Sequence, residues 1–406
     1  MALLRGLPAV FLLLIAVVVT PAAAMAADCA RPARLTGSTA WPRTMLSIDS
    51  ATSFSRGGGV VVAVLSTGVR AGQRQLAGRV LAGRDAVRNQ GAADTDCTGI
   101  GTQVAGVIAA DRADGSPVLG LAGKATILPV RVTGDDGTVQ PAALSRGISF
   151  AVQAGADVIV VAEPAYQDSA ALRDAVAAAV AADVPVIAAA GDLGAAQDAN
   201  PTPFPATYPG VIGVGAIDQN GAIFPKSQHG PYVDLVAPGV AVPTLQGGDG
   251  ASAGLVEADG TALAAGYVGA TAALVRARFG RLPVAEVTRQ LTASASPTVT
   301  GDAFGAGVVN PSAAVTGRVS DRRPRALPAL SPAAAGRSGV ENRRRAAAFT
   351  GATIAGVAVL AVLMVTAAIR RSRRQHWRPA LAPPPPSYAE PIEPGPPVML
   401  LDQPDR

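Results

Sequence analysis

Val-Ala-Val-Leu-Ser-Thr-Gly-Val, residues 62–69, is a strand-length apolar run closed by a turn signal. It is the first of a series. Residues 59–65, 125–132, 157–162, 184–190 and 211–216 are continuous apolar runs of strand length. Between them, residues 102–110, 142–154 and 170–182 carry helical patterning, and 261–279 and 284–291 follow as late helices. Continuous rather than alternating apolar strands are buried on both faces. Strands that alternate with helices therefore predict an α/β domain with a mainly parallel sheet in three layers. Such sheets place their sites at the carboxyl ends of the strands.

The ends of the chain predict a topology. Arg5, the apolar run Leu12 to Val19 and the small-x-small sequence Ala24-Met25-Ala26 predict a secretory signal over 1–26. Residues 346–369 hold no charge and reach about 36 Å as a helix, enough for a hydrocarbon core of about 30 Å. Arg370, Arg371, Arg373 and Arg374 follow as a stop-transfer cluster. Arg343 to Arg345 flank the other side, so the signal decides the orientation: a single-pass type I protein with its ectodomain outside the cell membrane. Residues 27–58 read as an N-terminal extension, 59–317 as the globular domain, and 318–345 as a linker. Residues 370–406 read as a Pro-rich cytoplasmic tail.

The 406 residues include 34 Lys and Arg, 29 Asp and Glu, and two each of His and Cys, for a net charge of +5. The basic excess sits at the membrane flanks. Residues 341–406 carry nine Arg and five acids, and 318–340 carry five Arg and one Asp, so residues 27–317 are mildly acidic. Nucleic-acid binding loses its main support. Two Cys exclude a disulfide-rich scaffold and a four-thiolate zinc site, and two His leave little for a histidine metal centre. No metal and no cofactor is expected. Asp94, Asp96, Asp135 and Asp136 lack the ligand spacing of a calcium loop and read as solvated turns. Glu163-Pro164 follows a strand at its cleft-side end, where a ligand contact and a plain turn are equally open.

Four segments lie at strand ends or open the helices after them: 62–69, Gly-Ile-Gly-Thr-Gln-Val-Ala-Gly at 99–106, Ala-Ala-Ala-Gly-Asp at 188–192, and Gly-Thr-Ala-Leu-Ala-Ala-Gly-Tyr-Val-Gly at 260–269. In order and spacing they resemble the subtilisin-like serine proteases (peptidase S8). More closely they resemble the mycosins, the membrane-anchored subtilases of actinobacterial type VII secretion. Trp41-Pro42, Gln75 to Val80, Ile127 to Val132, Tyr232 to Gly239 and the C-terminal anchor share in the resemblance, which spans about residues 27–374.

The resemblance implies a subtilisin-like fold and assigns four site positions, and all four are substituted. Ser66 stands where the family has its catalytic Asp, and Ile100 where it has His. Asp192 replaces the oxyanion Asn, and Ala262 replaces the nucleophilic Ser. The family's Pro, expected near Gly266, is also changed. A methyl group cannot attack a carbonyl, and Ile100 cannot relay a proton. A carboxylate at the oxyanion position opposes the charge that develops there. Of the two histidines, His376 lies beyond the anchor and His229 lies in a loop of the family comparison. Thr67-Gly68, Gly101-Thr102, Gly191 and Gly260-Thr261 nonetheless remain, so the expectation is a maintained fold without the chemistry: a pseudoprotease.

Cys29 and Cys97 can pair in an oxidising compartment, and the mycosin resemblance implies that they do, with two free thiols as the alternative. Three functions stay open. One is a scaffold that partners the membrane-complex subunits of a type VII secretion system, with a homo-oligomer also allowed. The second is a module that holds peptide without cleaving it. The third is an active serine endopeptidase.

Overall fold

The computed structural model describes residues 29–33, 35, 41–194, 200–248, 254–298, 301–317 and 339–374. The expected signal over 1–26, most of the linker, the tail from 375 and His376 lie outside the described residues.

The central sheet is ordered β2-β3-β1-β4-β5-β6-β7, and each adjacent pair runs parallel. Its strands are β1 (Val61–Ser66), β2 (Arg84–Asp85), β3 (Thr126–Arg131), β4 (Val158–Val161), β5 (Val186–Ala189), β6 (Val211–Ile217) and β7 (Leu235–Pro238). The expected α/β architecture is what the chain adopts. Successive side chains of a strand point to opposite faces, and here they fall into two separate cores. Val62, Val64, Val158, Val160, Ile187 and Ala189 enter one core. Ala63, Leu65, Ile159, Val161, Val186 and Ala188 enter the other. Both faces exclude water, which is why the strands read as unbroken apolar runs rather than as alternations.

Helices α4 (Pro141–Gln153) and α5 (Ala170–Ala181) cover one face. Pro141 opens α4 at a position where no backbone N–H is needed. The other face carries α3 (Ile100–Ala109) and α6 (Thr261–Phe279). Every residue of α6 from Thr261 to Arg276 is buried, so it is apolar all round and has no solvent stripe. Helix α7 (Val284–Ala293) and short α8 (Pro311–Thr316) complete the domain, and the Asn310 side chain caps α8 by accepting from Ala313 N at 3.0 Å.

Strands β2 and β7 and helix α8 had no counterpart among the expected segments, and three further features depart from the sequence expectation. An antiparallel hairpin of β8 (Val242–Gln246) and β9 (Gly254–Ala258) stands apart from the main sheet. The extension contains helices α1 (Trp41–Met45) and α2 (Ile48–Phe54). Helix α9 runs Gly339–Arg374, longer at both ends than the expected span 346–369 and overlapping the expected linker 318–345. Arg and Glu are good helix formers, so the charged flanks continue the helix that the apolar segment begins. Its stretch Arg343–Arg374 is long and apolar enough to cross a membrane, with an 18-residue window of mean hydropathy 2.5, and Arg370, Arg371, Arg373 and Arg374 close it.

Candidate active site

The parallel register sets the site. Leu65 of β1 pairs with Val161 of β4, so Ser66 and Glu163 leave neighbouring strand ends. Ser66 is fully buried, and its hydroxyl donates to Glu163 Oε2 at 2.9 Å. Thr133 Oγ1 donates to the same oxygen at 2.8 Å. Burial pushes the Glu163 carboxyl above the usual carboxylate range. The two hydroxyl bonds oppose that rise, and the charges of Asp96 and Asp192 add to it. Of the two readings open for Glu163, a turn or a contact residue, its side chain takes up an interior position beside the cleft.

Asp96 corrects the expectation of a solvated turn. It is 2% exposed. Its Oδ1 accepts from Thr67 Oγ1 and Gly99 N, both at 2.8 Å. Its Oδ2 accepts from Thr102 N at 2.8 Å and Thr102 Oγ1 at 2.7 Å. The side chain thus satisfies free N–H groups at the start of α3, and through Thr67 it ties that helix to the end of β1. Asp136, by contrast, caps its own turn through Thr138, and Asp135 is an exposed partner of Arg131 and Arg88. Helix α3 sits so close to β1 that a Cβ on Gly101 would lie 1.9 Å from the Gly68 carbonyl oxygen, and Gly68 itself has φ +107°. Packing alone requires both glycines.

Asp192 follows β5. Its Oδ1 accepts from Thr261 N at 2.9 Å, and Gly191 N donates to Thr261 Oγ1 at 3.1 Å. A carboxylate therefore sits at the N-terminus of the 19-residue α6, where the helix dipole favours negative charge. Asp192 is open to water through the cleft, but the surrounding walls displace bulk solvent and raise its carboxyl pKa. The Thr261 bonds and the charge of Lys226 oppose that rise, and Asp259 reinforces it. Ala262 is the next residue of α6 and is buried.

Ile100, Glu163, Tyr166, Asp192, Asp259 and Ala262 line one cleft of about 520 Å³. Three of the four assigned positions thus meet there, and buried Ser66 reaches the group through Glu163. His229 is exposed on its loop, and its carbonyl accepts from Asn200 Nδ2 and the Tyr232 hydroxyl. Among the described residues no group of three His, Cys, Asp or Glu side chains could hold a metal ion. Sequence reasoning missed the interior role of Asp96 and the pairing of Ser66 with Glu163. The first had a signal: an Asp three residues ahead of Gly99, at the start of a helix, is an Asx-type cap.

Cys29 and Cys97 form a disulfide, with Cα atoms 4.6 Å apart. Around it, Ala30 N donates to Cys97 O at 2.8 Å and Ala33 N to Leu255 O at 3.0 Å. The bridge and these bonds hold the extension against the loop before α3 and against β9.

A buried parallel sheet with a cleft at its carboxyl ends, entered by α3 and α6, defines a subtilisin-type α/β protein. The profile of the subtilase family (Peptidase_S8) matches residues 57–313. Subtilisin DY of Bacillus licheniformis is 34% identical over 262 residues, covering 64% of this chain and 92% of its own. Mycosin-3 of Mycobacterium tuberculosis is 33% identical over 397 residues, covering 82% of this chain and 84% of its own. The crystal structure of MycP1 from the ESX-1 type VII secretion system superposes with a TM-score of 0.64 at 30% identity, covering 74% of this chain and 93% of that one. The chain belongs to the subtilase family, as a mycosin-like member.

Proposed function

We propose that this chain is a membrane-anchored subtilisin-like pseudoprotease that serves as a structural component of a type VII secretion complex. The observation that carries the first part is the identity of the cleft residues. Ala262, at the start of α6, brings a methyl group where the family attacks its substrate, and Ile100, at the start of α3, brings a butyl group where it moves the proton. Hydrolysis without nucleophile and base retains only what an oxyanion site supplies. Here that position holds Asp192, whose carboxylate already occupies the N-terminus of α6. Negative charge developing on a substrate carbonyl would meet negative charge rather than a donor.

Support for the second part comes from similar solved structures, whose proteins come from type VII secretion systems, and from α9, whose length and composition suit an anchor. In this reading the ectodomain faces outward and the Arg cluster marks the cytoplasmic side. The partners are membrane subunits of the secretion complex, with self-association compatible. The test is affinity purification of the full chain from detergent-solubilised membranes. Secretion-complex membrane subunits co-purify with the intact chain and are lost when residues 340–374 are deleted. A chain that emerges without such partners contradicts the scaffold. Retention of peptide by both forms, with no membrane subunits, favours the peptide-binding module instead.

A further inference from the structure

The walls of the cleft carry an unusual balance. Glu163, Asp192 and Asp259 line it, and among the described residues no Lys, Arg or His does. Asp259 is already engaged, since its Oδ1 accepts from Ala241 N at 2.6 Å. Asp192 is only partly engaged, through Thr261 N at Oδ1. Glu163 is the clearest case. Its Oε2 takes both the Ser66 and the Thr133 hydroxyls, and Oε1 has no hydrogen bond to any described residue. That oxygen is not among the polar atoms sealed away from solvent without a partner, so it opens into the cleft that Glu163 lines. A carboxylate offers about four acceptor positions, and the protein fills two of those on Glu163. The remaining walls are mixed: Ile100, Ala262 and Leu263 form an apolar strip, with exposed Leu193 at 43% and Tyr166 at the rim, beside the neutral polar side chains of Gln103, Thr138, Gln140 and Gln167.

A ligand that satisfies these walls has a cationic, donor-rich head and an aliphatic stem. We propose that the cleft binds the side chain of a lysine or arginine residue in an extended peptide, its head on Glu163 and Asp192 and its stem along Ile100, Ala262 and Leu263. The proposal rests on the non-cleaving reading of the same cleft, since it describes a bound state and not a substrate. Charged hydrogen bonds inside a partly dry cleft are stronger than in water, and an uncompensated carboxylate there gains most from a cation. Long basic side chains already use apolar surface for their stems. Anionic and neutral polar peptides lack one half of this match. The charged groups that act on the two carboxylates are Asp96, Asp259 and Lys226. Lys226 lies outside the lining, so it leaves the head position free.

The experiment uses the full chain in a non-ionic detergent and fluorescein-labelled Ala-Ala-X-Ala-Ala peptides, with X as Lys, Arg, norleucine or Glu. Fluorescence anisotropy gives the affinities. Lys or Arg binds at least about tenfold more tightly than norleucine, the size of effect a charged hydrogen bond supports, and the Glu peptide binds more weakly than norleucine. Glu163→Gln and Asp192→Asn each narrow the gap between the basic peptide and norleucine. Butylammonium competes with the lysine peptide where butanol does not, which reads the preference without any mutation. Equal affinity for Lys and norleucine, a gap untouched in both variants, or no binding of any peptide overturns the proposal. Displacement of the peptide by micromolar calcium also overturns it, in favour of a metal site. Mass spectrometry of the recovered peptides separates the two claims. Cleaved peptide defeats the non-cleaving reading, whereas intact peptide bound without a charge preference defeats only this inference.

Discussion

Replacing Asp96 with Ala destabilises the fold more than any surface change should. The carboxylate is 2% exposed and accepts from Gly99 N, Thr102 N, Thr67 Oγ1 and Thr102 Oγ1. The two hydroxyls can rotate to other acceptors, and Thr102 Oγ1 already accepts from Arg70 N at 3.0 Å. The two backbone N–H groups cannot move, because α3 is packed against Gly68 and against α6. Each buried donor left without a partner costs about 1–3 kcal/mol, so Asp96→Ala costs about 2–6 kcal/mol. Asp96→Asn keeps the shape and one acceptor oxygen, and loses about half as much. Asp94→Ala, two residues away, changes stability by less than about 0.5 kcal/mol, because Asp94 engages its neighbours through its backbone: its carbonyl accepts from Ala71 N. The assay is urea unfolding of the full chain in detergent, followed by the fluorescence of buried Trp41 with the second Trp, Trp377, changed to Phe. A midpoint for Asp96→Ala within error of the Asp94→Ala control would refute the claim that Asp96 organises this corner of the domain.

Three further outcomes follow from the same contacts. Cys29→Ser removes a bridge that spans 68 residues of sequence and lowers the unfolding free energy by about 4 kcal/mol on the chain-entropy scale; reductant destabilises the parent chain to match and leaves the variant unchanged. Gly101→Ala drives a Cβ to within 1.9 Å of the Gly68 carbonyl oxygen, so α3 must shift; a loss of at least about 3 kcal/mol is read from the same urea titration, and a loss below about 1 kcal/mol contradicts the tight approach. Glu163 has a raised pKa in the folded state, so the folded chain binds the extra proton and stability falls as pH rises from the ordinary carboxyl range upward. Glu163→Gln removes that slope, so its midpoint exceeds the parent's near pH 7 and the difference shrinks near pH 4; a pH-independent difference would contradict the assignment.

The parallel sheet was legible because its signal is local. Unbroken apolar runs bounded by Gly and Pro are what strands covered on both sides require. Helix α6 was legible to its last residue, since Gly260 and Gly280 flank an apolar stretch of uniform pattern. The strands that escaped have weaker local signals. Strand β2 is two residues long, and β7 is four residues that end in Pro238. Strand β8 contains Pro243 and pairs with β9 outside the main sheet, so neither carries a repeating apolar run. The four positions assigned through the family resemblance rest on order and spacing along the chain, and three of them, Ile100, Asp192 and Ala262, line one cleft. The relation of Ser66 to Glu163 was not, because residues 97 positions apart become neighbours only through the β1–β4 register. Asp96 was misread for a related reason: a cluster of acidic and polar residues looks solvated until the helix it caps is seen to be packed from behind.

The geometry also separates two explanations for the preserved glycines of the site. Gly68 and Gly101 touch, and Gly191 would place a Cβ 2.1 Å from Gln228 Oε1. These are packing requirements of the fold, which hold whether or not a peptide bond is cut. On the proposed reading, a chain that keeps them while carrying Ile100 and Ala262 keeps its architecture for assembly or binding.

The proposed pseudoprotease is an intact subtilase framework without hydrolysis, and turnover of an unfolded, fluorescently quenched protein substrate meets that proposal most directly. The purified full chain is compared with the quadruple variant Ser66→Asp, Ile100→His, Asp192→Asn, Ala262→Ser. The parent releases no fluorescence above the enzyme-free control, and a serine-directed phosphonate leaves its mass unchanged. Turnover by the parent that tracks the protein through successive purification steps, or stoichiometric labelling by the phosphonate, would contradict the account.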